Sequence, residues 1–139
     1  MKTALIIEDE PSNMQVFCLL LTHQGYKVLE ATTGREAIEA GNREIGPIDL
    51  ILCDLTLPDT PGTKLARELV QSQPTAAVLI VSGTPQMGWS DSERKDFNEL
   101  PRERADFLEK PFPASALWAK INYLMTRSSF HEPLGAHRY

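Results

Sequence analysis

The chain has 139 residues, of which 42% are hydrophobic and 24% are charged, and its formal net charge is −5. This length favours one domain with a core of its own, and the negative charge without a basic run argues against a nucleic-acid surface. No apolar stretch approaches the roughly 20 residues that span a bilayer. The first residues lead directly into a strand pattern and leave no room for a signal peptide, so we expect a cytoplasmic protein.

Hydrophobic patterns predict strands and helices in regular alternation along the chain. Five short apolar runs have the length of strands: residues 3–7, 27–31, 50–53, 77–81 and 106–109. Four longer patterns have helical spacing: residues 11–24, 33–40, 63–71 and 113–125. This alternation predicts an α/β fold with a doubly wound, five-stranded parallel sheet, and strands that are apolar throughout fit burial on both faces.

Glycine and proline predict where the helices end. Gly25 and Gly41 follow the first two helical patterns, and glycine is common just after the end of a helix. The alternation is least regular between residues 83 and 105. There we expect an irregular loop, longer than such connections usually are, followed by a short helix over residues 91–99 that Pro101 ends.

Trp89 and the C-terminal residues follow no periodic pattern. Trp89 either packs the irregular loop onto the sheet, which we favour, or forms part of a partner surface. The last dozen residues mix Pro, Gly, His and Arg without periodicity. We therefore expect one domain over residues 1–126 and a flexible C-terminal tail over residues 127–139.

The cysteines and histidines give no sign of a metal centre or of a catalytic group. Cys18 and Cys53 make neither a disulfide framework nor a metal-ligand spacing. Both lie in apolar patterns, and we expect reduced, buried thiols that act as small hydrophobic residues. His23, His131 and His137 have no catalytic context, and we expect surface or tail positions for them.

Chemically useful side chains stand where four of the predicted strands end. Glu8 and Asp9 follow the first strand, Asp54 ends the third, Ser82 ends the fourth and Lys110 follows the fifth. Open α/β sheets bind ligands outside the carboxyl ends of their strands. Parallel strands would therefore gather three carboxylates, a hydroxyl and an ammonium group at one edge, a set that suits a divalent cation and a phosphoryl group.

The three carboxylates form a candidate metal site. Glu8, Asp9 and Asp54 would repel one another at close range unless a cation lay among them. A small number of hard oxygen ligands, with the remaining positions left to water and phosphate, suits Mg²⁺. For each acid taken alone, and for Glu8 most of all, the alternative is a solvated position at the end of a strand.

Asp54 is the best candidate for a nucleophile, because a carboxylate can form an acyl phosphate. The metal and Lys110 would supply positive charge around the transferring oxygens, and Ser82 would offer a hydroxyl to one of them. A lone Ser is more often a cap or turn residue, and a lone Lys is usually a surface charge, but their joint placement favours the site. The Lys110–Pro111 bond is a candidate cis peptide that would aim the lysine inward.

Together these motifs resemble the receiver domain of two-component response regulators, the CheY-like fold. The resemblance covers roughly residues 1–126 and is carried by four segments in order: Ile-Ile-Glu-Asp-Glu, Leu-Ile-Leu-Cys-Asp-Leu-Thr-Leu-Pro-Asp-Thr-Pro-Gly, Val-Leu-Ile-Val-Ser-Gly and Phe-Leu-Glu-Lys-Pro-Phe. It implies a flavodoxin-like (βα)5 fold with the strand order 2-1-3-4-5.

The resemblance also implies a phospho-acceptor and a metal site. Asp54 would receive a phosphoryl group from a histidine kinase or a histidine phosphotransfer protein. Glu8 and Asp9 would form the acidic pocket, and Mg²⁺ would be bound by Asp9, Asp54 and the backbone carbonyl of Thr56.

Three further roles follow from the same resemblance. Ser82 would be the switch hydroxyl that moves toward the phosphoryl group, and Lys110 would pair with that group. Phe107 falls at the position of the switch aromatic residue, which turns inward on activation. Ordinary strand core is an equally good interpretation of Phe107.

The resulting functional prediction is a stand-alone, phosphorylation-controlled signalling switch. Its output would pass through binding a downstream protein, as a monomer or a phosphorylation-dependent dimer, without direct contact to nucleic acid or membrane. It would not be an enzyme beyond taking part in its own phosphorylation and dephosphorylation. The chain could also be a receiver excised from a longer protein.

Two alternatives remain open. The first is a phosphorylation-independent interaction module, a receiver fold whose pocket is idle. The second is an aspartyl-phosphate phosphatase of the haloacid-dehalogenase type, which also uses an Asp at a strand end. That class carries Asp-x-Asp-x-Thr near the N-terminus, whereas Asp54-Leu55-Thr56 lacks the second Asp and lies on the third strand.

Overall fold

Strands and helices alternate along the chain in the predicted order. The computed structural model describes the backbone of residues 1–137 and the side chains of residues 1–127. The five strands are β1 (Thr3–Ile7), β2 (Lys27–Ala31), β3 (Leu50–Asp54), β4 (Ala77–Ser82) and β5 (Ala105–Glu109). The five α-helices are α1 (Pro11–His23), α2 (Gly34–Arg43), α3 (Gly62–Ser72), α4 (Asp91–Asn98) and α5 (Ala114–His137).

All five strands belong to one parallel sheet with the order β2-β1-β3-β4-β5, which confirms the predicted fold class and topology. The three central strands, β1, β3 and β4, are buried at every position, while β2 and β5 at the edges are partly exposed. This pattern explains why the central strands are apolar without alternation, because helices cover both faces.

Each face of the sheet has its own hydrophobic core. Successive side chains of a strand point to opposite faces, so each central strand contributes to both cores. In the core on the side of α2 and α3, the residues from the central strands are Leu5, Ile7, Ile51, Cys53, Val78 and Ile80. In the core on the side of α1 and α5, they are Ala4, Ile6, Leu50, Leu52, Ala77, Leu79 and Val81.

Of Gly25 and Gly41, the two glycines predicted to end a helix, only the first does so. α1 ends before Gly25, whose φ of +90° requires the left-handed region that glycine adopts readily, as predicted. α2 instead runs through Gly41 to Arg43, so the predicted stop at Gly41 is wrong. A glycine inside a helix costs only about 1 kcal/mol, and burial of Ala37 and Ala40 on the sheet side offsets this cost.

The irregular segment before β5 contains the predicted loop and short helix. A 3₁₀ turn at Gln86–Gly88 precedes α4, and Ser90 and Glu93 cap that helix reciprocally. Trp89 is only 3% exposed and belongs to the core on the side of α2 and α3. The packing interpretation of Trp89 is therefore confirmed.

Helix α5 is longer than predicted, because its backbone remains helical to His137. A segment without apolar periodicity has no apolar face to pack against the sheet, but it can still continue a helix. Residues 138 and 139, and the side chains of His131 and His137, lie outside the described residues. The division into a domain and a flexible tail stays a prediction. No described helix has both the length and the apolar composition that a bilayer crossing requires.

The two thiols are free, and burial raises the pKa of both. Cys53 is fully buried, as expected, and its thiol pKa is raised by burial and by neighbouring Asp54. Cys18 is only partly buried, which corrects the prediction; burial and Glu30 raise its pKa to about 11. Both remain protonated near neutral pH. His23 is exposed, as expected.

The start of α3 lies directly against the end of β3. A Cβ atom at residue 62 would lie 2.8 Å from the carbonyl carbon of Asp54 and closer still to its oxygen, so only glycine fits there. The Gly62 N–H also donates to the carbonyl of Leu55 at 2.6 Å. This close approach fixes the backbone around Asp54.

We therefore expect Gly62→Ala to lower the free energy of unfolding by about 1–3 kcal/mol, the usual cost of overpacking. The clash is with backbone, which cannot rotate away. Gly46→Ala is the matched control, because a Cβ atom at residue 46 would meet nothing within 4 Å. It should change stability by less than about 0.5 kcal/mol. Urea unfolding of the two variants measures the difference, and equal effects would contradict the close-approach argument.

Candidate functional site

Three carboxylates meet at the carboxyl ends of β1 and β3. Glu8 and Asp9 follow β1 directly, Asp54 is the last residue of β3, and the two strands are parallel neighbours in the sheet. One oxygen from each carboxylate lies within 4.8 Å of the other two. Glu8 is 1% exposed and Asp54 is 8% exposed, whereas Asp9 is exposed. The structure thus brings the predicted acidic cluster together.

Lys110 lies between the two buried carboxylates. Its Nζ atom is 3.1 Å from Glu8 Oε1 and 3.5 Å from Asp54 Oδ2. Its backbone N–H donates to the carbonyl of Ser82 at 2.7 Å, which joins the end of β5 to the end of β4. The Lys110–Pro111 peptide bond, a candidate for the cis isomer in the sequence, is cis. Lys110 is therefore part of the cluster and not a free surface charge.

The electrostatics of the cluster favour an additional cation. Burial raises the pKa of Glu8 above its ordinary value, and the charge of Asp54 adds to this effect. The backbone N–H of Glu10 and the ammonium group of Lys110 act in the opposite direction. One ammonium group leaves three carboxylates under-compensated. The all-oxygen donor set fits Mg²⁺, which Asp9 and Asp54 would hold with Glu8 close by.

The hydroxyl of Ser82 is engaged with its own loop. Ser82 Oγ donates to the carbonyl of Thr84 at 2.9 Å and accepts from the Thr84 N–H at 2.9 Å. This is the local turn arrangement that Ser commonly adopts. The structure therefore places Ser82 at the predicted edge, at the end of β4, with its hydroxyl bonded to Thr84.

Phe107 packs into an aromatic group on the side of α2 and α3. Its ring meets Trp89 edge-to-face at 5.5 Å and Phe97 at 6.0 Å between centroids. Lys120 Nζ lies 5.7 Å from the ring centroid. Phe107 is half-buried in this arrangement. The core interpretation describes its position, and its role as a switch residue stays a prediction.

The loop after β3 is held by contacts that the Thr56 backbone makes. The Thr56 N–H donates to Asp54 Oδ1 at 3.4 Å, and Thr56 forms an isolated bridge with Pro61. The structure places the Thr56 backbone beside Asp54. That the Thr56 carbonyl binds a metal stays a prediction.

Sequence reasoning missed the role of Asp59. Its carboxylate accepts from the backbone N–H groups of Gly34 at 2.8 Å and Arg35 at 3.1 Å, and so caps α2 from a distant loop. The first of these bonds is the main reason that the pKa of Asp59 is lowered. An Asp in a turn signals capping, but the sequence does not show that the capped helix is a different one.

Glu8→Gln is expected to remove a pH dependence of stability in the absence of divalent cations. The folded protein raises the pKa of Glu8, so the folded state favours the protonated acid. This contribution is fully present below the unfolded pKa of about 4.3 and is lost as pH rises through the raised folded value. The variant lacks this loss and should be more stable than the wild type at neutral pH in EDTA.

Urea unfolding between about pH 4 and pH 8 measures the effect. Glu103→Gln is the matched control, because Glu103 is exposed, and its curve should follow that of the wild type. Addition of Mg²⁺ should restore the wild type at neutral pH, because a cation among the carboxylates replaces the missing compensation. Parallel curves for the wild type and Glu8→Gln would contradict the assignment of Glu8 as a costly buried acid.

Comparison with known proteins identifies relatives for most of the chain. The cell cycle transcriptional regulator CtrA of Caulobacter vibrioides is 32% identical over 127 residues, which cover 91% of this chain and 52% of that protein. The cell cycle response regulator CtrA of Brucella ovis is 33% identical over 127 residues, which cover 91% and 51% respectively. The chain therefore spans about half the length of these curated relatives.

Solved structures agree on the fold, and a family model covers most of the sequence. The response regulator receiver domain protein (CheY-like) from Methanospirillum hungatei JF-1 superposes with a TM-score of 0.80 at 24% identity, covering 94% of this chain and 98% of that one. A receiver domain protein from Clostridium thermocellum gives 0.74 at 26% identity, with 94% and 98% covered. The family model described as the response regulator receiver domain matches residues 4–122. The chain therefore belongs to the response regulator receiver domain family.

Proposed function

We propose that this protein is a signalling switch that accepts a phosphoryl group on Asp54. The observation that carries the proposal is a nearly buried carboxylate at a strand end, contacted by Lys110 and grouped with two further carboxylates. Such a group lowers the stability of the fold, because buried charges must be compensated. A structural role alone therefore does not explain it. Membership of the receiver family supports the same role.

Phosphoryl transfer would proceed by attack of an Asp54 carboxylate oxygen on the phosphorus atom of a phosphohistidine. An O–P bond forms as the N–P bond of the donor breaks, and the imidazole leaves with its electron pair. Lys110, which already lies 3.5 Å from Asp54 Oδ2, pairs with the developing negative charge on the phosphoryl oxygens. Mg²⁺, when bound, neutralises charge on those oxygens.

Ser82 would complete the site after transfer. Its hydroxyl is bonded to Thr84, so it must rotate away from that residue to donate to a phosphoryl oxygen. Phe107 would respond as the switch aromatic residue, although it packs against Trp89 in the structure. These two movements would change the surface near α4 and β5 and produce the output.

The proposed partners are a histidine kinase or a histidine phosphotransfer protein as donor, and a downstream protein as target. The CtrA relative is named a transcriptional regulator and is about twice as long as the matched region. For this receiver we propose output through protein contact, as a monomer or a phosphorylation-dependent dimer, because a net charge of −5 does not favour binding to nucleic acid. Free thiols suit a reducing compartment, and we propose the cytoplasm.

Intact-protein mass after treatment with acetyl phosphate or a phosphoramidate tests the acceptor. We expect a gain of one phosphoryl group that requires Mg²⁺, is absent in EDTA and is absent in Asp54→Asn. Asp91→Asn is the matched control, because Asp91 is exposed on α4, and it should be phosphorylated like the wild type.

The same experiment separates the alternatives. No mass gain under any condition would overturn the switch mechanism and leave a receiver-shaped interaction module. Turnover of a phosphate monoester without a stable phosphoprotein would instead indicate an enzyme of the phosphatase type. A gain that survives in Asp54→Asn would place the acceptor elsewhere.

A further inference from the structure

One backbone carbonyl links the switch hydroxyl to a buried tryptophan. The carbonyl oxygen of Thr84 accepts from Ser82 Oγ at 2.9 Å and from Trp89 Nε1 at 3.2 Å. The N–H of the same residue donates to Ser82 Oγ at 2.9 Å. Thr84 thus holds the Ser82 hydroxyl with two hydrogen bonds and is itself held by the indole.

Trp89 is buried and joins this loop to the hydrophobic core. The indole is 3% exposed and meets Phe97 and Phe107 edge-to-face, each at 5.5 Å between ring centroids. Residues 83–88, which lie between Ser82 and Trp89, are all exposed. The indole N–H bond therefore connects an exposed segment of backbone to the core, and it does so at the residue that binds the hydroxyl.

We propose that Trp89 is a positioning residue that restrains the Ser82 hydroxyl in the unphosphorylated protein. By fixing the Thr84 carbonyl, the indole N–H stabilises the arrangement in which Ser82 is bonded to Thr84 and not to a group on Asp54. The inference rests on the proposed function, because it concerns the cost of moving Ser82 toward a phosphoryl group. Trp89 does not touch the reacting atoms and acts only through Thr84.

The restraint implies that the Thr84 carbonyl has different hydrogen-bond donors in the two states of the switch. Before phosphorylation the Thr84 carbonyl has two donors, and one of them leaves when Ser82 turns toward Asp54. The indole N–H then remains as the donor from the core. Its hydrogen bond should weaken, because Thr84 has lost both contacts with Ser82 that hold its backbone in place, and this difference is what makes the indole favour the restrained state. Loss of the indole N–H should free Ser82 and favour the phosphorylated arrangement.

Affinity for beryllofluoride with Mg²⁺, a mimic of the phosphoryl group, tests the restraint by ¹⁹F NMR titration. We expect Trp89→Phe, which keeps an aromatic ring but removes the N–H, to bind about two- to ten-fold more tightly than the wild type, the ratio that corresponds to one net hydrogen bond. In a Ser82→Ala background the same substitution should change affinity less than two-fold or so, because no hydroxyl remains to be restrained. Trp118→Phe, on α5, is the matched control and should behave like the wild type.

An equal effect of Trp89→Phe in both backgrounds would overturn the proposal, because it would show that the indole acts only by packing. No effect in either background would overturn it as well. If the wild type binds no beryllofluoride, the proposed function and this inference both fail. If the wild type binds but the two substitutions are not coupled, only the inference fails.

A second measurement leaves Trp89 intact, in case its substitution impairs folding. Because the chain has two tryptophans, Trp118→Phe leaves one indole N–H signal for ¹H–¹⁵N NMR. We expect this signal to move upfield when beryllofluoride and Mg²⁺ are added, because the bond from the indole to Thr84 weakens once Ser82 releases Thr84. The Asp54→Asn variant should show no movement. An unchanged signal in a protein that binds beryllofluoride would contradict the proposal.

Discussion

The contact of one ammonium group with two buried carboxylates is the constraint on which the site depends. Lys110 directly follows the edge strand β5. Its side chain reaches across β4 to Asp54 at the end of β3 and to Glu8 after β1. Burial makes each carboxylate expensive, and a single cation does not compensate three acids. The raised pKa of Glu8 reflects this cost. The site therefore favours additional positive charge.

The two sides of the site differ in how their backbone is held. On the side of Asp54, the close approach of Gly62 and the capping of α2 by Asp59 tie the loop after β3 to two helices. On the side of Ser82, the loop is exposed and is bonded through Thr84 to Trp89. Under the proposed function, a fixed Asp54 beside a Ser82 hydroxyl that can change its partner would form a two-state element. Phosphoryl transfer and switching would then lie on different loops of one sheet edge.

The aromatic group of Trp89, Phe97 and Phe107 connects the loop after β4 to the surface near α4 and β5. The three rings pack edge-to-face at 5.5–6.0 Å and belong to the core or pack against it. Edge-to-face pairs favour specific relative orientations. Thr84 is therefore linked to Phe107 through one hydrogen bond and one ring contact.

The sequence alone determined the fold class, the strand order through the family resemblance, and the residues gathered at the sheet edge. It could do so because apolar runs without alternation indicate strands covered on both faces, and parallel strands align their carboxyl ends. Local signals were less reliable: Gly41 does not end α2, and α5 continues to His137. Three contacts became visible in the folded structure alone: Ser82 is bonded to Thr84, Trp89 shares that carbonyl, and Asp59 caps α2. These contacts depend on side-chain rotation and on the meeting of loops, which periodicity and spacing do not encode.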